Sequence, residues 1–419
     1  LYSWYCRQKE KQRELKVLID GAFYSNEELG LTKAVAHALY GNEMSNNVTR
    51  LERYAACAYA HFMDYGLELM ERQEYKIAVL DLGNIFHNAL DLFSEKLRQS
   101  QYNWHTVTEE TRDAFISQSV EEATLEYGNT ILKSSKRNEY IIHRVERIMK
   151  RTVWALCEHI RKGVFEPDSF ELQFSYMDNL ESVNILLSDD EWMNLRGRID
   201  RLDTYEDEEH VYVKVIDYKS GDKSLDMLSF YYGLQLQLVV YLGAAMEITK
   251  KKHPDKIVIP AGIFYYHIDD PIIDKKIGGN IEESILNQLK MDGLVNDDMT
   301  VAGLMDSTLV NEEGEAKGST KSMVIPVEIN KDGFPTKRSS LASMDQFNTM
   351  NQYVRKKIAG LGKEIIDGVT KINPYKLKQK TACDYCKYKG ICGFDTKLPG
   401  NSYRNLKLFD KDELWEKLE

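Results

Sequence analysis

The feature that most constrains the fold is the run Val-Tyr-Val-Lys-Val-Ile-Asp-Tyr-Lys-Ser-Gly at residues 211–221. Its valines alternate with Tyr212 and Lys214, and this two-residue period is typical of a β-strand. Continuing the alternation places Asp217 and Lys219 on the same face of the chain. The sequence therefore predicts a strand that ends with a carboxylate and an ammonium side by side.

This pair of side chains suits the hydrolysis of a phosphodiester. Asp217 can hold a divalent cation, and Lys219 can orient the attacking water or offset the charge that develops on phosphorus. In the preceding β-prone run, residues 197–203 have the sequence Gly-Arg-Ile-Asp-Arg-Leu-Asp. If the two runs form an antiparallel pair, Asp200 approaches Asp217 as a second carboxylate ligand. The alternative for an isolated Asp-x-Lys is an exposed ion pair.

Other segments supply further candidate groups. His87 ends the sequence Gly-Asn-Ile-Phe-His on the flank of an apolar helix face, as a metal ligand or a boundary histidine. Gln237 and Tyr241 are four residues apart, hence on one side of a helix. They are interpreted as contacting backbone or DNA beside the metal, and the alternative is that they are packed polar residues. Glu171 is an accessory acidic residue or a surface residue at a strand edge.

The order of these motifs resembles that of the RecB-family nucleases. It runs Gly-x-x-x-His, Gly-x-x-Asp-Arg-x-Asp, Asp-Tyr-Lys-Ser-Gly and then Gln-x-x-x-Tyr. The resemblance implies an α/β fold with a restriction-endonuclease-like PD-(D/E)xK core, in which helices flank a mixed sheet. Added helical regions and a C-terminal iron–sulfur segment complete that fold. The implied metal ligands are His87, Asp200, Asp217 and the backbone carbonyl of Tyr218. The implied catalytic residues are Asp200, Asp217, Lys219, His87, Gln237 and Tyr241.

The cysteines form a second pattern, with Cys383, Cys386 and Cys392 close together near the end of the chain. A tetrahedral metal site there lacks a fourth ligand nearby. One early and three late cysteines resemble the iron–sulfur staple of the B subunits of bacterial AddAB helicase–nucleases. That resemblance implies a [4Fe–4S] cluster, which takes four thiolates, on Cys57, Cys383, Cys386 and Cys392. The alternative is a zinc knuckle with His or Asp as fourth ligand; Cys6 and Cys157 are interpreted as ordinary thiols.

The resemblance also implies a function. Such a chain would be a Mg²⁺-dependent DNA exonuclease domain, with Mn²⁺ or Ca²⁺ able to occupy the same site. It would pair with an A subunit, a helicase–nuclease, in processing double-strand breaks for recombination, and would degrade the strand that ends 5′. Single-stranded DNA would thread to the metal. The alternatives are a related iron–sulfur nuclease outside this group, a DNA-binding scaffold whose nuclease is vestigial, and a zinc-binding interaction module.

Charge bears on the nucleic-acid hypothesis. The net charge of −11 over 419 residues argues against a DNA partner, because phosphate binding favours Lys and Arg. Local patches matter more than the total, however. Residues 133–162 hold nine Lys or Arg against three Glu, and residues 371–389 hold six Lys with three Tyr. The alternative is that these runs are a solvated helix face and a basic tail.

The length of the chain and the changes of pattern along it predict several structural segments, because 419 residues are too many for one average domain. The chain begins with Leu1, which suggests a segment of a longer polypeptide. Helices are predicted over about 109–132, 138–162, 227–248 and 343–368, and an irregular insertion over 293–322. We expect five segments: 1–48 as a lead-in from a preceding domain, 49–165 as a helical part with Cys57 and His87, 166–292 as the nuclease core, 293–342 as an insertion and strand, and 343–419 as a helix, iron–sulfur segment and tail.

Three absences complete the expectations. No stretch approaches the ~20 apolar residues of a membrane span, and no signal peptide is recognisable near Leu1. We therefore expect a cytoplasmic protein that has no membrane partner. No P-loop signature is present either, so ATP binding by this segment is not expected.

Overall fold

A computed structural model of the chain describes residues 2–23, 30–72, 79–126, 135–272 and 280–419. The strands in these residues are β1 Glu43–Asn46, β2 Glu166–Phe174, β3 Asn184–Ser188, β4 Glu191–Leu195, β5 Gly197–Glu206, β6 His210–Lys219, β7 Ile257–His267, β8 Asp292–Asn296, β9 Leu341–Ala342, β10 Tyr375–Leu377, β11 Lys380–Thr381 and β12 Arg404–Asn405. The helices are α1 Tyr2–Tyr5, α2 Gln12–Ala22, α3 Lys33–Tyr40, α4 Val48–Ala56, α5 Ala58–His61, α6 Val79–Gln99, α7 Glu109–Glu126, α8 Lys136–Ile160, α9 Met227–Tyr231, α10 Gln237–Lys252, α11 Ile281–Gln288, α12 Met299–Met305, α13 Met344–Ile366, α14 Lys389–Cys392 and α15 Lys411–Leu418.

The centre of the fold is a mixed sheet with the strand order β2-β5-β6-β7-β8-β9. β5 is antiparallel to both β2 and β6, as the sequence predicts for the β5–β6 pair, whereas β6 and β7 are parallel. Every residue of β6 between its two ends is buried. A strand covered on both faces can be apolar throughout, which explains the valine-rich run. The expected α/β fold with a mixed sheet flanked by helices is confirmed.

Two helical layers cover this sheet. On one face, α6, α7 and α8 pack against β6 residues that include Ile216 and Tyr218. On the other face, α10 and α13 pack against Val213 and Val215. Alternate residues of β6 thus face different layers, and Asp217 has the same parity as the valines that face α10. This parity places Asp217 on the side from which α10 supplies polar groups.

Two small sheets lie outside the central one. One has the strand order β1-β4-β3, and the other has the order β11-β10-β12. In the second, β10 and β11 form a hairpin just before the late cysteines. β12 then returns from beyond those cysteines to pair with β10. The cysteine segment is therefore enclosed between strands of one small sheet.

The prediction of one helix over 227–248 is wrong. The structure has two helices, α9 and α10, separated by residues 232–236. Gly233 lies in this break with a φ of 80°, a left-handed conformation that glycine adopts without steric cost. The break makes Gln237 the first residue of α10 and leaves its backbone N–H free for a partner outside the helix.

The prediction of an irregular insertion over 293–322 is wrong in its first part. Strand β8 belongs to the central sheet, and α12 follows it directly. Residues 310–340 pair with one another only through isolated bridges, yet they bury Val324, Ile325 and Ile329 in the core. These apolar residues follow no helical or strand period, so sequence texture does not reveal that the segment packs against the sheet.

The other predicted helices are confirmed. α8 and α13 match the ranges 138–162 and 343–368 to within two residues. The described part of α7 ends at Glu126, and the rest of the range predicted for it lies outside the described residues. The five segment boundaries remain predictions. Among the helices that the structure describes, none has both the length and the apolar character that a membrane span requires.

Candidate active site

Two acidic residues face each other at the end of the β5–β6 ladder. The register pairs Arg201 with Ile216, so the next residues along the two strands are Asp200 and Asp217. Side chains directly opposite each other on antiparallel strands project to the same face with Cβ atoms about 5 Å apart. The pairing thus brings together the two carboxylates that the sequence separates by a turn.

A third carboxylate extends this row on the other side of β5. The ladder between β2 and β5 brings Glu171 opposite Asp200. The backbone of Glu171 has a φ of 50°, in the left-handed region that non-glycine residues rarely adopt. Such a conformation costs about 1–3 kcal/mol and persists only where the surroundings enforce it. Glu171 is half-buried on the edge strand β2, beside Asp200, and its role as an accessory acidic residue stays a prediction.

His87 reaches the same row from α6. Its Nδ1 atom lies 3.4 Å from Asp200 Oδ2 and 3.6 Å from Glu171 Oε1. The imidazole also meets the Tyr218 ring edge-on, with 6.0 Å between ring centroids. One ligand atom from each of His87, Glu171 and Asp200 lies within 4.8 Å of the others, and no other such group of three occurs among the described residues.

The protonation of His87 reflects this acidic environment. Burial opposes the charged imidazolium, but the carboxylates of Asp200 and Glu171 outweigh it and raise the pKa of His87 to about 10. A proton on His87 thus supplies the positive charge that the carboxylates require. A cation held by the same three groups would supply that charge instead, and the imidazole would then be neutral, as a metal ligand must be.

Asp217 is the least exposed of these acids. Its side chain is fully buried, and burial together with the negative charge of Asp200 raises the pKa of Asp217 to about 7. Asp200 is stabilised separately, because its Oδ2 accepts a hydrogen bond of 2.8 Å from the backbone N–H of Tyr218. Two neighbouring carboxylates oppose each other's ionisation unless a cation lies between them.

The predicted Lys219, Gln237 and Tyr241 meet at Asp217. The Lys219 ammonium forms an ion pair with Asp217 and donates to Gln237 Oε1 at 3.3 Å. Gln237 Nε2 donates to Asp217 Oδ1 at 2.7 Å and to the Tyr241 hydroxyl at 3.2 Å. The i, i+4 spacing on α10 thus serves one network around the buried carboxylate.

This donor set fits a hard divalent cation. Carboxylate oxygens are suitable ligands for Mg²⁺ or Mn²⁺. A cation held by them would take over the charge compensation that protonated His87, Arg198 and Lys219 supply. Of the predicted ligands, His87 and Asp200 lie in one ligand group with Glu171, and Asp217 is the next acid in the row. The backbone N–H of Tyr218 makes the hydrogen bond to Asp200 described above, and its carbonyl as a metal ligand stays a prediction.

Glu52 is a residue of this site that the sequence did not reveal. Its Oε1 accepts hydrogen bonds from the backbone N–H groups of Leu236 and Gln237, at 2.7 and 3.2 Å. Glu52 belongs to α4 and therefore caps the start of α10 from outside that helix. Cys57 follows directly after α4, so this one contact joins the cysteine side of the molecule to Gln237. No local motif marks such a long-range cap.

Two residues of the motif at 197–203 have a structural role. Arg201 and Asp203 are almost completely buried, and Asp203 accepts from Arg201 Nε at 2.5 Å and Nη2 at 2.7 Å. Lys214 of the neighbouring strand contacts the same carboxylate at 2.9 Å. The Arg201 guanidinium also lies over the Trp104 ring, 5.4 Å from its centroid. This buried triad fixes β5 to β6 beside the acidic row.

The sheet, the acidic row and the adjacent lysine agree with a known family. The model of the PD-(D/E)XK nuclease superfamily matches residues 45–393, from β1 to the last of the clustered cysteines. The chain belongs to the PD-(D/E)XK nuclease superfamily. The acidic row and Lys219 lie within the matched residues.

Three relatives of this PD-(D/E)XK chain are each named as the B subunit of an ATP-dependent helicase/deoxyribonuclease. The chain is 47% identical over 416 residues to the one from Lachnoclostridium phytofermentans, covering 99% of this chain and 35% of that protein. It is 36% identical to the one from a Thermoanaerobacter species, over 100% of this chain and 36% of the relative. The Clostridioides difficile protein is also 36% identical, over 99% and 35% respectively. The chain thus spans about a third of the length of these relatives.

The PD-(D/E)XK chain brings its early and late cysteines together. Cys57 and Cys392 are buried, while Cys383 and Cys386 are partly exposed. Burial raises the pKa of the Cys383 thiol. Cys57 and Cys386 pack in one apolar cluster with Met63 and Tyr388. Cys6 is exposed and Cys157 is buried on α8, which leaves them outside this group.

Contacts between protein groups hold the two cysteine segments together. The Asp64 carboxylate accepts from Arg53 Nε at 2.8 Å and from the Tyr388 hydroxyl at 2.7 Å. Lys387 forms an ion pair with it at 2.8 Å. In addition, the Ala58 N–H donates to the side chain of Asn373 at 2.9 Å. The chain on either side of Cys57 is thus tied to the segment that carries the late cysteines.

Proposed function

We propose that this chain is a metal-dependent deoxyribonuclease domain that hydrolyses DNA phosphodiester bonds. The observation that carries the proposal is the convergence of His87, Glu171 and Asp200 beside the Asp217–Lys219 pair. Membership of a nuclease superfamily agrees with it. A structural ion pair alone would not explain a left-handed Glu171 and a second buried acid, Asp200, in the same row.

The proposed roles follow from the contacts. His87, Asp200 and Asp217, with Glu171, would hold one divalent cation, which in this chemistry polarises the phosphate and lowers the pKa of a bound water. We infer that Mg²⁺ is the physiological ion and that Mn²⁺ or Ca²⁺ can take its place. The Tyr218 carbonyl is a further ligand in this proposal.

The remaining groups act on the attacking water and on Asp217. Lys219 carries a positive charge beside the acids, where it can orient water and offset charge developing on the phosphate oxygens. Gln237 fixes the orientation of the Asp217 carboxylate, and Tyr241 holds the Gln237 amide in turn. Glu52 sets the start of α10 and so the position of Gln237.

The names of the relatives suggest the biological setting. They are B subunits of ATP-dependent helicase/deoxyribonucleases, so we propose that this chain works in such a complex with an A subunit. There it would process double-strand DNA breaks for homologous recombination in the cytoplasm. We propose that it degrades the 5′-terminated strand as an exonuclease, and that single-stranded DNA is threaded to the metal.

The test is cleavage of end-labelled single-stranded DNA by the chain with and without Mg²⁺. We expect cleavage only with the cation, and short labelled products early in the reaction when the label is at the 5′ end. Absence of cleavage with either Mg²⁺ or Mn²⁺ would contradict the proposal. Early release of a 3′ label would contradict the polarity alone.

We also propose that Cys57, Cys383, Cys386 and Cys392 bind a [4Fe–4S] cluster. Four thiolates are the ligand set that such a cluster takes, and the packing of Cys57 against Cys386 supports the assignment. A link between such distant parts of the chain stabilises the fold by closing a long loop. We therefore assign the cluster a structural role in this proposal.

Replacement of Cys57 by Ser tests the cluster. In anaerobically purified protein we expect about four iron atoms per chain in the wild type and loss of most of the iron in the variant, measured by iron and sulfide analysis. Cys6→Ser is the matched control, because Cys6 is exposed and outside the group. Zinc in place of iron in the wild type would overturn the proposal, as would full iron content in Cys57→Ser.

A further inference from the structure

A large cleft opens beside Lys219, and His87 is not among the residues that line it. Its volume is about 1000 Å³, and Lys219 lies in its wall. The loop at 220–224 and the start of α9 form one side. The β10–β11 hairpin and Tyr385 form the other. The cleft is therefore continuous with the proposed catalytic lysine and is bounded by the cysteine segment.

The charge of the cleft favours an anionic chain. In addition to Lys219, its walls carry Lys223, Lys378 and Lys380. Of the two acidic residues in the walls, Asp226 is occupied as the cap of α9, accepting from the N–H groups of residues 228 and 229. Asp222 is the other. Four ammonium groups against two carboxylates leave the lining residues with a net positive charge, and three of the ammonium groups remain when Lys219 is counted with its partner Asp217.

The cleft also presents an aromatic ring to solvent. Tyr385 is 100% exposed, and it lies between two of the clustered cysteines. Tyr375 is half-buried in the same wall. The Tyr385 ring is fully exposed and therefore gains nothing from packing within the chain. Unpaired bases stack on such rings. Basic groups that alternate with exposed aromatic rings are typical of single-strand binding surfaces.

The cavity beside His87 has a different character. It has a volume of about 610 Å³ and is lined by His87, Asp91, Glu95 and Glu171. Of its two arginines, Arg198 forms an ion pair with Glu171. Phosphates approaching from this side would meet carboxylates first. The charge distribution thus favours the Lys219 side for the nucleic acid.

The far wall of the cleft is fixed to the cysteine segment. The Ala382 N–H donates to the Tyr375 carbonyl at 3.0 Å, and the Cys383 N–H donates to the Thr381 hydroxyl at 3.2 Å. At the tip of the hairpin, Lys378 has a φ of 54°, a strained conformation that persists only where the turn enforces it. The positions of Lys378 and Tyr385 therefore depend on how the cysteines are held.

We propose that this cleft binds unpaired DNA next to the scissile phosphate, with Lys223, Lys378 and Lys380 contacting phosphates and Tyr385 stacking on a base. The proposal rests on the proposed deoxyribonuclease function and specifies the surface by which that site receives its strand. It assigns the cysteine segment a second role, because that segment forms a wall of the binding surface.

The first test measures binding of a fluorescent oligonucleotide without divalent cations, so that the strand is not cut. Each phosphate contact on single-stranded DNA contributes about 0.7 to the slope of log K against log salt. The double variant Lys378→Ala, Lys380→Ala should therefore reduce the slope by about 1.4. Lys331→Ala, Lys337→Ala is the matched control, because these exposed lysines lie outside the cleft, and it should leave the slope unchanged.

The second test concerns stacking. Tyr385→Ala should weaken binding by about tenfold with an unchanged salt slope, because loss of a stacked base removes no phosphate contact. Tyr385→Phe should retain wild-type affinity, since it keeps the ring. Tyr5→Ala, at an exposed residue of α1 outside both basic runs and the cleft, is the control for loss of an exposed tyrosine.

The outcomes separate this inference from the proposed function. If the wild type cuts DNA but the cleft variants bind with its affinity and salt slope, the cleft assignment is wrong and the nuclease stands. If the variants weaken binding but the wild type never cuts, the cleft stands and the nuclease proposal fails. Equal weakening of single-stranded and blunt duplex binding would overturn the assignment to unpaired DNA.

Discussion

Asp217→Asn is expected to lower the rate of DNA cleavage at least about a thousandfold, with little change in folding. The substitution preserves the shape of the side chain but removes its negative charge, so a cation at the acidic row loses a ligand and Lys219 loses its ion-pair partner. Losses of this size accompany removal of a group that stabilises charge in the transition state. Initial rates on single-stranded DNA with Mg²⁺ measure the effect.

The control for this experiment is Asp190→Asn. Asp190 is an exposed residue between β3 and β4, so the same chemical change there should leave the cleavage rate within about twofold of wild type. Circular dichroism and iron content should be unchanged in both variants. A cleavage rate in Asp217→Asn within about tenfold of wild type, in protein with normal spectra, would exclude Asp217 from the metal site.

Asp203→Asn is expected to cause the largest loss of stability. Arg201 and Lys214 are both buried against this one carboxylate. Breaking a buried ion pair by removing one partner costs about 3–5 kcal/mol, because the remaining charge stays uncompensated in the interior. In a chain of this size such a loss should lower the midpoint of thermal unfolding by about 3–6 °C.

The comparison with Asp190→Asn isolates the effect of burial, because that exposed substitution should change stability by no more than about 0.5 kcal/mol. Thermal unfolding followed by circular dichroism, on protein with equal iron content, is the measurement. If Asp203→Asn unfolds within about 1 °C of wild type, the triad does not stabilise the junction between β5 and β6.

The part of the fold with a regular period could be predicted from the sequence. The alternation in β6 indicated which face Asp217 occupies, and antiparallel pairing with β5 brought Asp200 opposite it. The pattern also predicted Gln237 and Tyr241 on one side of a helix, and both contact the network at Asp217. These inferences succeed because strand and helix periods act over a few residues and depend little on distant partners.

Features that depend on tertiary contacts were not predictable in this way. Glu52 caps α10 at the break before it, and this contact joins residues 184 positions apart. The position of Glu171 beside His87 depends on a left-handed backbone that no local signal indicates. The irregular segment after α12 is buried because other elements cover it. In each case the determining interaction lies outside the local sequence window.

The motif Gly-x-x-Asp-Arg-x-Asp illustrates both situations. Asp200 was predicted from its spacing to Asp217, and it lies in the acidic row. Arg201 and Asp203 of the same motif have the opposite parity on β5 and form a buried ion pair with each other. Residues within one short motif thus divide into chemical and structural roles, and only the three-dimensional contacts separate them.

The central claim is that distant side chains meet around one hydrolytic cation, and the most direct test is to locate Mn²⁺ in crystals by anomalous scattering. We predict one strong site within about 2.3 Å of the His87 imidazole and of carboxylate oxygens from Asp200 and Asp217. Glu171 should contact this ion directly or through water. An ion bound elsewhere, in crystals of protein that cuts DNA, would contradict this claim.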